Sequence, residues 1–501
     1  MNKPNFLLIT TDQQRFDTIH ALGNNHIYTP HLNWLVDEGI TFERAYSDCP
    51  VCMPARATVM TGKHGYNLGL TGNTDAVMPM DAAKTLPGVL TRNGYQTRAQ
   101  GKMHFTPMRA NYGFEHMELP LDYYRQTGES TPFGIPKGHG IGENEIEPVI
   151  STVDETQSAV YWTVKRSIDF METRDDTRPF FLWTSFAKPH PPFDPCRNYW
   201  VLYQNKELPP PIFGDWSETL CDAPQGFYAS TYTLNNAYRM SAEQMADVKR
   251  AYYACITQID YSLGLLFARM REMDLLDDTW IIFTADHGDM MGDHHMGAKS
   301  VFLEGSAHIP MLIKPPKARE KSLNAIRCGD LVTLADVMPT ILDIAGIESA
   351  SDSDGESLLK LVTRSTACND ADGCAAAGDD ITGDVTGDDK QTRKDRIFFG
   401  NCNNDYLSVI ENNIKYMWTS FGGEELLFDL NNDPMEQVNL IKTYPDKAAS
   451  FKKLLIDHVT GYNNDLLING ELKTKPPVKS PDDFAKWPGF HSTNYPCDVL
   501  H

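Results

Sequence analysis

The 501-residue chain reads as an α/β protein followed by a smaller antiparallel sheet. Three observations predict this. Short, almost wholly apolar runs recur at residues 5–12, 179–186 and 280–286, and such runs without polar alternation are strands buried on both faces. They are interleaved with helical patterns at residues 29–39, 158–173 and 241–273, the rhythm of parallel strands joined by crossover helices. Beyond residue 395 the rhythm changes. Four short runs, 396–400, 406–410, 414–419 and 425–429, follow one another across turn residues, as in an antiparallel sheet.

Taken in order, the first run ends at Asp12-Gln13. The carboxyl ends of strands are where open α/β sheets bind ligands, so Asp12 is a candidate site residue. Residues 29–39 form a capped helix with Gly39 at its end, and residues 42–46 a second strand. That strand leads into Cys49-Pro50-Val51-Cys52-Met53-Pro54-Ala55-Arg56. Pro54 suits the first turn of a helix, where its missing N–H is harmless, and Thr61-Gly62 closes that helix. Cys52 then sits at a helix N-terminus, where unpaired N–H groups and the dipole favour an anion, and Arg56 one turn on adds a fixed positive fork. Cys49 and Cys52 also make a Cys-x-x-Cys. A redox pair or a zinc site is the competing reading, but Cys368 and Cys374 are too widely spaced to supply a standard second zinc pair.

A helix at 86–93 and a strand from residue 95 lead into Gly101-Lys102-Met103-His104. Residues 110–150 lack periodicity and read as substrate-facing loops. The strand at 179–186 delivers Lys188-Pro189-His190, and residues 191–240 are again irregular. In the long helix 241–273, Ala251, Ala254, Ile256, Ile259, Leu263, Leu266 and Met270 line one face. The strand at 280–286 ends in Asp286-His287-Gly288, with Asp289, Asp293, His294, His295 and Lys299 close behind. Those further groups are either supports for the Asp286 site or a separate zinc site. A strand at 308–314 and a core helix at 331–346 follow. Residues 349–392, dense in Asp, Gly, Ser and Thr, read as a solvated acidic insertion marking a boundary between a catalytic domain, 1–385, and a C-terminal subdomain, 386–501. A helix at 447–462 and a Pro-rich tail that wraps the surface complete the chain.

Lys and Arg number 45 against 67 Asp and Glu, a net charge of −22. So acidic a chain argues against nucleic acid and against anionic membranes as partners, and an anionic substrate would need a local positive pocket. No apolar run reaches transmembrane length. The first strand begins almost at Met1 without a leader, which points to the cytoplasm, or to a periplasmic or secreted protein if a leader was removed.

Cys52-Met53-Pro54-Ala55-Arg56 followed by Thr61-Gly62 resembles the signature of the type I, formylglycine-dependent sulfatases of the alkaline-phosphatase-like superfamily, and most of all their bacterial carbohydrate branch. The resemblance runs from residue 5 to about residue 440, through Asp12, Gly101-Lys102-Met103-His104, Lys188-Pro189-His190, Asp286-His287 and Lys299. It implies a large mixed, mostly parallel sheet sandwiched by helices, with a small C-terminal α+β subdomain. It also implies that Cys52 is converted to formylglycine (3-oxoalanine) by a formylglycine-generating or sulfatase-maturating enzyme. In the roles it implies, Asp12, Gln13, Asp286, His287 and the modified Cys52 hold one divalent cation, Ca²⁺ from the predominance of oxygen ligands or Mn²⁺ or Mg²⁺. Arg56, Lys102 and Lys299 steady the sulfuryl oxygens, His190 protonates the leaving alcohol, and His104 takes the proton that lets sulfate leave. The implied substrate is a sulfated saccharide, a glycosaminoglycan or algal fragment attacked from its end. Gln13 departs from the usual second acidic ligand, a departure shared with phosphonate monoester hydrolases, so a phosphonate or phosphate mono- or diesterase is the alternative. A non-catalytic protein that binds sulfated glycans, with Cys52 left a thiol, is the alternative from another class.

Overall fold

The computed structural model describes residues 3–127, 141–142, 144–217, 227, 237, 240–318, 323–348, 352–362 and 396–476. Its main sheet has eight strands: β1 (Asn5–Asp12), β2 (Ile40–Tyr46), β3 (Gln96–Gly101), β4 (His116–Glu118), β5 (Phe180–Pro189), β6 (Thr279–Ala285), β7 (Met311–Lys314) and β8 (Ile326–Thr333). They lie in the order β4-β3-β5-β1-β6-β7-β2-β8. β7 pairs antiparallel with both β6 and β2, while the other described pairings are parallel. β1, β2, β3, β5 and β6 therefore all point their carboxyl ends to one edge.

The unalternating apolar runs have a direct cause. Along β1, Phe6 and Leu8 enter one core, with Met53 and Leu86 from the helices Cys52–Thr61 and Leu86–Arg92. Leu7 and Ile9 enter the core on the opposite face, with Leu263 and Met270 from Ala242–Glu272 and Val164 from Ala159–Thr173. Both faces are covered by helices, so successive residues must both be apolar. The helix starts are set locally. Ser158 accepts a hydrogen bond from the Tyr161 amide, and Ser241 and Gln244 form a reciprocal capping box.

The second sheet is β9 (Phe398–Cys402), β10 (Tyr406–Glu411), β11 (Ile414–Thr419) and β12 (Glu425–Asp429), antiparallel throughout. One face, with Phe398, Tyr406, Met417 and Phe428, packs on Tyr46 and Phe302 of the main unit. The other, with Val409, Tyr416 and Leu427, packs on Phe451, Leu455 and Val459 of the helix Pro445–Tyr462. Between the sheets Lys415 is fully buried. Its Nζ donates to Glu304 at 2.5 Å, to Glu436 at 2.8 Å and to the Phe302 carbonyl at 2.8 Å.

The structure differs from the sequence expectation in three places. The stretch expected as one core helix from residue 331 begins as the end of β8, and the helix starts only at Val337. Thr333 and Asp336 form a capping box there, so β-branched Val332 and Thr333 stay in the sheet. The stretch 110–150 is not all loop: it contains β4 and the helix Pro120–Thr127. Part of the expected solvated insertion is packed, since Leu358, Leu361 and Val362 are buried against the helix Val337–Ile344; residues 349–351 and 363–395 lie outside the described residues. The expected wrapping tail falls mostly on 477–501, also outside them.

Two predictions follow from this framework. Gly101 has φ +98°, and a Cβ there would sit 1.9 Å from the Ser185 carbonyl oxygen. Gly101→Ala is expected to destabilise the fold by about 3 kcal/mol, read by denaturant titration. Burial and the nearby Glu304 charge push Glu436 up to about 7, while Lys415 and His308, against burial, hold Glu304 down to about 2. A carboxyl whose folded value is raised adds stability below its unfolded value and loses it as pH rises through the folded one. The melting temperature is thus expected to fall between pH 5 and pH 8, and to fall less in Glu436→Gln, by calorimetry.

Candidate active site

The strand ends converge. Asp12 closes β1, and Cys52 opens the helix after β2. Lys102 follows β3, His190 follows β5, and Asp286 and His287 follow β6. The helix Cys52–Thr61 starts after an extended Val51 and stops at Gly62 with φ +66°, so Cys52 lies in the first turn. The ligand-type atoms of Asp12, Cys52, Asp286 and His287 all lie within 4.8 Å of one another, and all four residues are buried. Cys52 Sγ is 3.3 Å from His287 Nε2 and 3.7 Å from Asp12 Oδ1. His287 Nδ1 donates to the Gly288 carbonyl at 2.9 Å, so Nε2 is the nitrogen that faces Cys52 Sγ.

Two buried carboxylates this close repel each other, and the surroundings answer with cations. Arg56, 1% exposed, contacts both: Nη2 reaches Asp12 Oδ2 at 3.0 Å and Nε reaches Asp286 Oδ2 at 3.1 Å. Its Nη1 is taken by the Lys102 carbonyl and by Ser185 Oγ at 2.8 Å. Lys102 Nζ lies 2.8 Å from Asp12 Oδ2. Burial would raise the Asp12 carboxyl, but Lys102, His190, Arg56 and His287 hold it well below the usual range. Asp286 goes the other way, raised by burial and by the charge of Asp12. Burial and Asp12 push the Cys52 thiol up, yet Lys102, Lys299 and His287 bring it well below its ordinary value. The pocket is locally positive in a chain of net charge −22. Two carboxylates, a thiol and an imidazole nitrogen around one point form a donor set that suits a divalent cation.

The structure adds contacts around the candidates that the sequence did not suggest. Gln13, at φ +72°, gives its amide nitrogen to Asp289, and its Oε1 accepts from Lys299 Nζ at 2.7 Å. All three nitrogens of Arg56 are committed to Asp12, Asp286, Ser185 and the Lys102 carbonyl, which sets it behind the carboxylates. Lys299 Nζ also lies 2.9 Å from His190 Nε2, and His190 Nδ1 lies 2.9 Å from the Pro191 carbonyl. Burial, Lys299 and Lys102 together hold the His190 imidazole well below its ordinary value. His104 lines the cavity beside Lys102 and His190 with a buried, unpartnered Nδ1, in a left-handed conformation at φ +54°.

The neighbouring groups form no second metal site among the described residues. Asp293 pairs with Arg15 at 2.8 Å, His294 packs on Trp216, and His295 stacks on Phe213. Cys49 is a free thiol whose Sγ faces the Thr71 carbonyl at 3.1 Å. Two supporting residues escaped the sequence reading. Ser185 anchors Arg56, and its signal was the hydroxyl pair Thr184-Ser185 in a run that is otherwise apolar. Tyr252 donates to the Gln13 carbonyl at 2.7 Å from the middle of a helix where nothing in the pattern set it apart.

Comparison with known proteins bears on the chemistry. A sulfatase family model matches residues 4–347. An arylsulfatase of Clostridium perfringens is 32% identical over 483 residues, covering 92% of this chain and 95% of its own. Among solved structures, a phosphonate monoester hydrolase of Agrobacterium radiobacter superposes with a TM-score of 0.73 at 23% identity, over 95% of this chain and 99% of its own. A structure in complex with its substrate D-glucosamine-2-N,6-O-disulfate superposes with a TM-score of 0.69 at 20% identity, over 93% and 99%. At those identities the solved structures speak for the fold alone. The family match and the arylsulfatase relative speak for the chemistry: the chain belongs to the sulfatase family of sulfuric ester hydrolases.

Proposed function

We propose that this sulfatase cleaves sulfate monoesters with a formylglycine made from Cys52 and one divalent cation held by Asp12, Asp286 and His287. The observation that carries the reading is the position of Cys52: first turn of a helix, 2% exposed, its Sγ within 3.7 Å of two of the three other donors. So deep a residue is out of reach of a second enzyme once the chain has folded, so a formylglycine-generating or sulfatase-maturating partner would act on the unfolded segment. When bound, the cation supplies positive charge for the sulfuryl oxygens, and the hydrated formylglycine supplies the attacking hydroxyl. Ca²⁺ suits the oxygen majority of the donors, and the single imidazole also suits Mn²⁺ or Mg²⁺.

The remaining work falls to the chain's own side chains. Arg56 neutralises and orients Asp12 and Asp286. Lys102 and Lys299 bring two ammonium groups to face the Cys52 position, where an anionic group binds and where charge develops in the transition state. Gln13 acts through Lys299, holding its Nζ, and Asp289 holds Gln13. His190 donates its Nδ1–H to the Pro191 carbonyl, so its Nε2 accepts from Lys299 Nζ, and a proton leaving that ammonium passes by way of Nε2 to the departing alcohol. The unpartnered His104 Nδ1 is the base left to take a proton from the remaining hydroxyl as sulfate departs.

A second reading has a specific basis. Gln13 with Asp286-His287 departs from an all-acidic ligand set, and a solved phosphonate monoester hydrolase shares the fold. A phosphonate monoester has the tetrahedral shape and single negative charge of a sulfate monoester. Turnover of an aryl sulfate is expected to exceed that of the matched aryl phosphonate at least about tenfold in kcat/KM, and the reverse preference would favour the second reading. The modification is tested directly. Mass spectrometry of the Cys52 peptide should find an aldehyde in place of sulfur, and Cys52→Ala should abolish turnover. Elemental analysis should find about one divalent cation per chain, and chelation should lower the melting temperature. An intact thiol in an active preparation would sink the proposal.

A further inference from the structure

We infer that the alcohol half of the substrate is an uncharged, apolar group, an aryl or alicyclic monosulfate, and not the uronic-acid-bearing saccharide that the sequence suggested; this rests on the sulfatase reading above. A cavity of about 410 Å³ opens beside Lys102, His104 and His190, on the side where the proton must reach the leaving oxygen. Its size is that of a small-molecule pocket.

The walls are mainly carbon. Met103, Phe105, Leu121, Tyr123 and Tyr124 line it, with Met108 at its rim. The charged lining groups are already neutralised. Lys102 is paired with Asp12, and Lys188 with Asp194. Among the described residues no further lysine or arginine faces the cavity to receive a carboxylate or a second sulfate. Two polar lining groups, Gln258 and Ser158, are also occupied. Gln258 accepts from the Cys196 amide and donates to Ser158 Oγ, and Ser158 caps the helix Ala159–Thr173. A sugar would bring hydroxyls that lose water and find few partners, and a uronate would bring a charge with none. A ring of carbon loses only its hydration, which is favourable.

Reactivity must be matched for a fair test, because a phenol leaves more easily than a sugar hydroxyl. Cyclohexylmethyl sulfate and glucose 6-sulfate are both sulfates of a primary alcohol on a six-membered ring and differ chiefly in hydroxyls. With the Cys52 peptide verified as formylglycine, sulfate release is expected to be at least about tenfold faster in kcat/KM for cyclohexylmethyl sulfate than for glucose 6-sulfate, and faster still than for a sulfated uronic-acid disaccharide. Leu121→Lys should raise KM for the cyclohexylmethyl ester about tenfold and narrow its lead over the uronate. Leu121→Ala, which adds no charge, should raise KM for the cyclohexylmethyl ester without narrowing that lead. Preference for either sugar overturns this inference and leaves the sulfatase reading intact. Absence of sulfate release from all three esters by the verified formylglycine protein overturns both.

Discussion

The contact between Arg56 and the two carboxylates of Asp12 and Asp286 is the constraint on which the site depends. The two aspartates come from adjacent strands and are buried, and in that setting like charges cannot both stay ionised without compensation. The guanidinium answers with separate nitrogens at 3.0 and 3.1 Å, a geometry that one ammonium group could not provide. The same residue is carried on the helix that begins with Cys52. Its anchorage therefore also sets where the thiol stands relative to the carboxylates.

The sheet makes that constraint possible. Five parallel strands end at one edge, and each delivers its functional residue without any loop having to cross the core. The strain this demands is local and visible. Gly101 lets β3 run against β5 where a side chain would collide with the Ser185 carbonyl, and Gln13 and His104 adopt left-handed backbone angles at the mouth. Such conformations persist because the surrounding hydrogen bonds over-determine them: the Gln13 amide N–H reaches Asp286 Oδ1 at 3.0 Å, and the Gln13 carbonyl is held by Tyr252.

The site is divided by polarity. At the sheet edge, lysines, an arginine and a helix N-terminus concentrate positive charge against an acidic whole, which suits the sulfuryl group. Beside it the cavity wall turns to methionine, leucine and aromatic rings, and its two lysines have carboxylate partners. A substrate spanning both zones is anionic at one end and apolar at the other. The second sheet contributes less directly. Its buried Lys415 binds Glu304 and Glu436 across the junction, fixing the segment that follows Lys299.

What the sequence by itself determined is the part written in short-range pattern. Unbroken apolar runs ending in Asp12 and Asp286 marked buried strands and their functional ends, because a strand covered on both faces has no room for alternation. The Cys52, Pro54 and Arg56 spacing marked a helix start, because capping chemistry is local. Only the tertiary structure decided the rest. It turned β7 antiparallel, and it drew Val332 and Thr333 into a strand rather than a helix. It committed Arg56 wholly to carboxylates, aimed the Gln13 oxygen at Lys299, and gathered the apolar cavity from segments far apart in the chain. Each of these depends on which distant partner fills a hydrogen-bond valence or a packing gap, and a linear pattern carries no information about distant partners.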